Sequence, residues 1–388
     1  MLYTPGFIAM AFCNLATISS YSCFFLFPLF ILDRGGAPSD VGILMGVFTL
    51  ASVFFRPWIA EMIDRMGRKR SFTIGAVLMT LLPLLYLVPE GPIKAIYPVL
   101  LPIRIVHGVG IALCFTAAFT YAVDIIPAHR LNEGIGMFGI SGLTGLALGP
   151  VVCELMIRRL GFPALFATAS VLGLLALLAH LPLAETHRRN PSSPAVSFLS
   201  VLRGNHLLLI SALSCLFGFG LAAAGTFLPP FAAERNISIL SYYYISYSGT
   251  AILTRLLGGR LADRMGESRI IPRAFLLLSV GLAVIIFLND QVLLTLAGIL
   301  MGCGHGFLYP ALNTMAVRNE SPDNRGKATG IFTGSIDAGV FIGSTALGYV
   351  AEWSGYPVVF AMAGAGCLCG CGLFRLNRAR RPAGKNPN

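Results

Sequence analysis

Charge is what this sequence has least of. Asp, Glu, Lys and Arg supply 12% of its 388 residues, against about a quarter in soluble domains, while 56% of residues are hydrophobic and the mean hydropathy is +0.77. That balance excludes a water-soluble globule. Acids are scarcer than bases, 17 against 28. The resulting +11 does not imply a nucleic-acid partner, because the bases stand in short clusters between apolar runs instead of along one amphipathic face. No Gly-x-x-x-x-Gly-Lys-Ser/Thr stretch occurs, so a P-loop ATPase is excluded. The nine cysteines all fall in apolar runs, and Cys367, Cys369 and Cys371 fit neither zinc-ligand nor Cys-x-x-Cys spacing; they read as small apolar side chains, with no metal site expected. Basic residues are missing before Arg34. The long apolar run 6–32 is therefore expected to be a retained first span and not a cleaved signal peptide.

What is present in quantity is apolar runs of about 20 residues, the length that crosses a bilayer. Twelve are expected, at 6–32, 41–62, 71–89, 95–123, 134–157, 163–183, 206–232, 241–262, 273–289, 291–317, 329–351 and 357–374. The reading is an all-α polytopic membrane protein of two six-helix halves, 1–184 and 206–374. A polar linker, 185–205, joins them, and a basic tail, 375–388, follows. With both termini on one side, that side collects twenty of the 28 Lys and Arg and the other only five. The positive-inside rule then predicts cytoplasmic termini in an inner membrane.

Asp64-Arg65-Met66-Gly67 returns 199 positions later as Asp263-Arg264-Met265-Gly266, and Arg56, eight before Asp64, returns as Arg255. A chain of two similar halves is implied. The first copy continues Arg68-Lys69-Arg70, whereas the second continues Glu267-Ser268. A Gly-x-Gly-x-x-Gly match at Gly134, Gly136 and Gly139 opens a membrane span with no strand before it, so it is not a dinucleotide site.

These features resemble the major facilitator superfamily of secondary transporters over essentially the whole chain. The first signature of that family, Gly-x-Leu-Ala-Asp-Arg-x-Gly-Arg-Arg, is represented by Ala60, Met62, Ile63, Asp64, Arg65, Gly67, Arg68 and Lys69. A second, Arg-x-x-x-Gly in span four, appears as Arg104 and Gly108. A third, associated with antiporters, is half present: Gly145, Gly149 and Pro150 match, while Cys153 and Glu154 replace the closing glycines. The resemblance is to the drug-efflux branch. It implies proton-coupled efflux of a small amphipathic molecule by alternating access, with no cofactor beyond a proton gradient and a monomer in the lipid bilayer. Organic-anion, monocarboxylate or sugar transport remains the alternative. A membrane-embedded hydrolase built on Ser141 and the mid-span histidines is remote, for Ser141 sits in a glycine ladder without a nucleophile elbow.

By the same resemblance, Asp64, Arg65, Gly67, Arg68 and Asp124, with Asp263, Arg264 and Gly266 in the second copy, form a conformational latch, Asp64 facing the start of span eleven and Arg68 pairing with Asp124. The residues themselves also allow a purely topological role for the bases. Ionisable groups at mid-span need a partner or a wet cavity. Asp337 and Arg104, each about ten residues into a span, are the expected coupling or substrate groups, and Asp337 could equally be a structural partner of an arginine. Arg56 and Arg255 stand about seven residues from span ends. They read either as snorkelling side chains or as an anion-attracting pair at the inner mouth. Polar stripes at helical spacing, Asn14-Thr17-Tyr21, Arg104-His107-Gly108 and His305-Tyr309-Asn313, are expected to face a central water-filled path. The ladders Gly139-Gly142-Gly145-Gly149 and Gly330-Gly334-Gly339-Gly343 read as helix packing, and Tyr242, Tyr243, Tyr244 and Tyr247 as an aromatic interface belt.

Overall fold

The computed structural model describes residues 2–186, 205–318, 320 and 325–379. Positions 187–204 of the linker and 380–388 of the tail, and the side chains of Asp263 and Arg264, lie outside the described residues. Twelve helical rods follow one another with no strand among the described residues. They are α1 (Pro5–Asp33), α2 (Pro38–Met66), α3 (Arg68–Leu85), α4 (Ile93–Ile125), α5 (Leu131–Leu160) and α6 (Pro163–His180), then α7 (Asn205–Ala222, continuing to Glu234), α8 (Ser241–Met265), α9 (Glu267–Ile286), α10 (Gln291–Arg318), α11 (Arg325–Ser354) and α12 (Tyr356–Ala379).

Ten of the rods are long and apolar enough to cross a membrane. The two outside that group have local reasons. α3 opens on Arg68-Lys69-Arg70, and α8 carries serines, tyrosines and Arg255 along its length. α1 and α7 are interrupted at the same relative place, α1 by a tight 3₁₀ turn at Phe24–Leu26 and α7 by a π turn at Ala223–Phe227. Pro28, and Pro229 with Pro230, follow these turns. Proline lacks the N–H that would continue the ladder and its ring presses on the carbonyl four residues back, so the rod bends there.

The repeated Asp-Arg-Met-Gly turn is a backbone device. Gly67 and Gly266 have φ of 97° and 70°, a conformation costly for a side chain with Cβ, and each reverses the chain between two rods. A second repeated reversal, Gly161-Phe162-Pro163 and Gly355-Tyr356-Pro357, has φ of 77° and 81° at its glycines.

Each half packs its rods in the same pattern. α1 lies against α4, α5 and α6, and α7 against α10, α11 and α12; α2 and α3 embrace α4 as α8 and α9 embrace α10; α3 meets α6 as α9 meets α12. The halves join along two seams, α2 with α11 and α5 with α8. The ends carrying Gly67, Gly266, Pro5 and Ala379 make one face, called here the basic face.

Candidate functional site

At the end away from the basic face the seams are shut. A Cβ on Gly42 would fall 2.4 Å from the Ser344 carbonyl oxygen and 2.9 Å from Gly348 Cα, so α2 and α11 touch backbone to backbone. Across the other seam, Glu154 near the end of α5 closes onto the start of α8. Its carboxylate accepts the Leu240 N–H at 2.9 Å and the Ser241 N–H at 2.8 Å, accepts the Ser241 hydroxyl, and takes an Arg158 N–H at 2.8 Å. Free N–H groups at a helix start carry partial positive charge, so an anion seats well there. Glu154 is 8% exposed.

Toward the basic face the seams part. A Cβ on Gly136 of α5 or Gly326 of α11 would meet nothing within 4 Å, and Ala60 and Asp64, on the seam side of α2, are exposed. Among the described residues, the space between the halves therefore opens toward the basic face.

At its floor stands an ion pair between the halves. Arg56 of α2 pairs with Asp337 of α11 and donates to Thr333 Oγ1 at 2.8 Å, and Ser52 Oγ donates to Asp337 at 3.2 Å. Ser52 and Arg56, and Thr333 and Asp337, are each one turn apart, so two i,i+4 pairs interlock. The snorkelling expected of Arg56 does not occur. Its guanidinium turns inward because an acid and a hydroxyl, Asp337 and Thr333, lie across the seam and Ser52 stands one turn away on its own helix.

Arg255 occupies the corresponding place on α8 and differs in its company. Its guanidinium lies 5.3 Å from the Tyr309 ring centre, its Nε has no hydrogen-bond partner, and no carboxylate pairs with it among the described residues. Nearby, the Tyr247 hydroxyl is hydrogen-bonded to His305 Nδ1.

The stripes divide. Asn14 of α1 donates to Ser141 of α5 at 2.8 Å, Thr17 is buried with an unpartnered hydroxyl, and Tyr21 stacks on Phe48 at 5.5 Å. Tyr309 and Asn313 are part-exposed, and Asn313 Oδ1 is unpartnered. The α4 stripe faces packing and not the cavity. Arg104 is 1% exposed, donates to the Leu44 carbonyl at 2.9 Å and sits over the rings of Phe24, Phe27 and Phe48 at 4.5–5.5 Å. His107 is enclosed by Phe24, Phe48 and Tyr86, and Gly108 abuts the Phe48 carbonyl. This face turned inward because α1 and α2 cover it with aromatic rings. The tyrosine belt is corrected likewise: Tyr243, Tyr244 and Tyr247 are buried and only Tyr242 is exposed, since the first three face α10 and α1.

In the latch region Arg68 Nε lies 3.0 Å from Asp124 Oδ2 and 3.7 Å separates Arg68 from Asp64. Asp64 is 73% exposed at its side chain. Arg65 pairs with Glu61 on its own helix. Glu185, assigned from sequence only to the linker, caps α3 by accepting the backbone N–H groups of Arg68 and Lys69 at 2.9 and 3.1 Å. A Cβ on Gly67 would fall 2.4 Å from that carboxylate. Gly145 and Gly149 press α5, with its internal Pro150, onto α1, their Cβ positions 2.7 and 2.2 Å from backbone oxygens of Leu15 and Ser19. Sequence reasoning missed Ser52, Thr333 and the role of Glu154. A polar residue one turn from a buried charge was the available signal for the first two.

Comparison with known proteins agrees with this architecture. An uncharacterized MFS-type transporter of Methanocaldococcus jannaschii is 24% identical over 332 residues, 82% of this chain and 83% of that protein. Quinolone resistance protein NorA of Staphylococcus aureus is 22% identical over 324 residues, 81% and 82% of the two chains. The crystal structure of a peptide transporter, POT, in complex with sulfate superposes with a TM-score of 0.79 at 15% identity, covering 97% of this chain and 94% of that one, a likeness of fold. The first and third of these are named as transporters and none as an enzyme. The family model for the Major Facilitator Superfamily matches residues 8–288 and 239–388, and the chain belongs to that superfamily.

Proposed function

We propose that this chain is a proton-coupled exporter of the inner membrane, with both termini and the basic face cytoplasmic, moving a small amphipathic molecule by alternating access as a monomer with no cofactor. The observation that carries the reading is the Arg56–Asp337 pair, a carboxylate and a guanidinium from opposite halves at the floor of the cavity. Removing one partner of this part-buried pair, its side chains 15% and 30% exposed, leaves a poorly compensated charge at less than the about 3–5 kcal/mol of a fully buried pair, so protonating Asp337 loosens the α2–α11 seam at mid-depth. A proton taken up by Asp337 when the cavity faces the opposite side is carried inward as the cavity turns, and its release to the cytoplasm restores the Arg56–Asp337 pair of the cytoplasm-open state. Solute and proton then move in opposite directions. The likeness to NorA, a quinolone resistance protein, supports export over uptake.

Purified protein in liposomes under an imposed pH gradient tests this across lipophilic cations, organic anions and sugars. Gradient-driven movement of at least one solute is expected, lost in Asp337→Asn while folding is retained. Flux indifferent to the gradient, or gradient-driven flux surviving in Asp337→Asn, overturns it.

A further inference from the structure

The two arginines of the repeat stand in matching settings that differ by one carboxylate. Arg56 leans on Gly334 of α11, whose Cβ would lie 3.4 Å from its Nε, and meets its acid three residues further on, at Asp337. Arg255 leans on Gly139 of α5, whose Cβ would lie 2.9 Å from its Nη1. Three residues further on, where the other seam has Asp337, α5 has Gly142. The space at Gly142 is open except for one group: a Cβ there would have only Asn14 Nδ2 within 4 Å, at 3.4 Å. Asn14 Nδ2 donates one hydrogen to Ser141 and has a second to give.

We propose that the anionic group of the transported solute sits between Arg255 and Asn14, over Gly142, in the place that the Asp337 carboxylate takes at Arg56. This rests on the transport reading above and names its substrate class: an organic monoanion bearing a carboxylate. A part-buried guanidinium without an acid is costly unless something anionic joins it, and its five donors in a fixed fork match a carboxylate. Arg56 is neutralised by Asp337, which leaves Arg255 without an acid among the described residues.

The test is binding to the whole protein in nanodiscs, without any gradient, read as thermal stabilisation by benzoate, 2-naphthoate and pyrene-1-carboxylate, each against its neutral amide. At least one anion is expected to stabilise the protein while its amide does not. Apparent affinity falls tenfold or more in Arg255→Gln, and falls likewise in Gly142→Asp, which gives Arg255 an acid of its own without removing the arginine. Gly142→Asp is expected to melt no lower than the wild type, so loss of binding there is not loss of folding. Arg255→Lys retains part of the affinity. No stabilisation by any of the three anions, equal stabilisation by the amides, or unchanged affinity in Gly142→Asp overturns the proposal. Gradient-driven flux of a lipophilic cation without anion binding refutes only the anion site, whereas anion binding without gradient-driven flux of any solute refutes the transport reading.

Discussion

Replacing Glu154 by Gln is expected to unseat the seal on the α5–α8 seam and shift the protein toward the state open at the opposite face. The carboxylate holds two backbone N–H groups at the start of α8, the Ser241 hydroxyl and Arg158. Glutamine keeps one oxygen, which can hold one of the two backbone N–H groups together with one side-chain donor, and turns an NH₂ toward the other backbone N–H. A hydrogen bond to a charged group contributes about 1.5–3 kcal/mol, and a negative charge at a partly buried helix start up to about 2 kcal/mol. These overlap, so the closed seal loses about 2–3 kcal/mol. In the open state the side chain is hydrated in both proteins and little changes. At about 1.4 kcal/mol per decade, the equilibrium moves on the order of 30- to 140-fold. Ser39, whose Cα lies 3.2 Å from the Cβ position of Gly348 in the closed seam, supplies the reporter. As Ser39→Cys in a background without the nine native cysteines, it is labelled by a membrane-impermeant maleimide from the opposite face. The rate rises at least tenfold in Glu154→Gln. Arg158→Gln, which removes an N–H from a 45%-exposed side chain, costs under about 1 kcal/mol and changes the rate less than fivefold. An unchanged rate in Glu154→Gln, or an equal rise in Arg158→Gln, refutes the assignment of the seal to the helix cap.

Other perturbations separate the remaining parts. Gly42→Val drives a branched side chain into the Ser344 carbonyl, so the same Ser39→Cys reporter should be labelled several-fold faster. Arg68→Asp and Asp124→Arg each break a contact 15% and 26% exposed at its two side chains; each should lower transport, and the double exchange should restore part of it, whereas additive losses would remove the pair from the latch. Glu185→Ala removes the cap from α3 and should lower the melting midpoint by an amount set by about 0.5–2 kcal/mol, measured by thermal unfolding in detergent. His107→Phe, in a site of rings with no cavity exposure, should leave the pH dependence of transport in place, and its abolition would return His107 to the proton path.

The sequence carried the depth of each polar group well and its direction poorly. Counting residues from a turn places Arg56, Asp337 and Arg255 along their helices because the rise per residue is fixed at about 1.5 Å. Which way each side chain points depends on the helix's rotation, and a rod that is apolar nearly all round has no strong polar face to reveal it. Arg56 was therefore legible as a charge near one end of a span and not as the partner of Asp337, 281 positions away. Spacing put Arg104, His107 and Gly108 on one face correctly; α1 and α2 cover that face, which only packing decides. Glu154 shows the converse. As a departure from a glycine motif it looked like a loss, while its gain, the capping of a helix 86 positions later, involves backbone groups that have no sequence signature at all.

The turns were legible because they depend on backbone. Only glycine holds φ near 97° or 70° easily, so both copies keep Gly67 and Gly266 however the neighbours diverge. Divergence instead collects where the halves meet. One seam has Asp337 and the other Gly142; one has Glu154 capping a helix and the other backbone contact at Gly42. Two identical seams would open and close with the same energy for the same event, and nothing would distinguish proton from solute. With an acid on α11 alone, protonation acts on the α2–α11 seam, while a charged solute at Arg255 acts on the α5–α8 seam. Coupling then requires no wire between the two sites, since both seams belong to one rigid-body motion and each ligand biases that shared equilibrium.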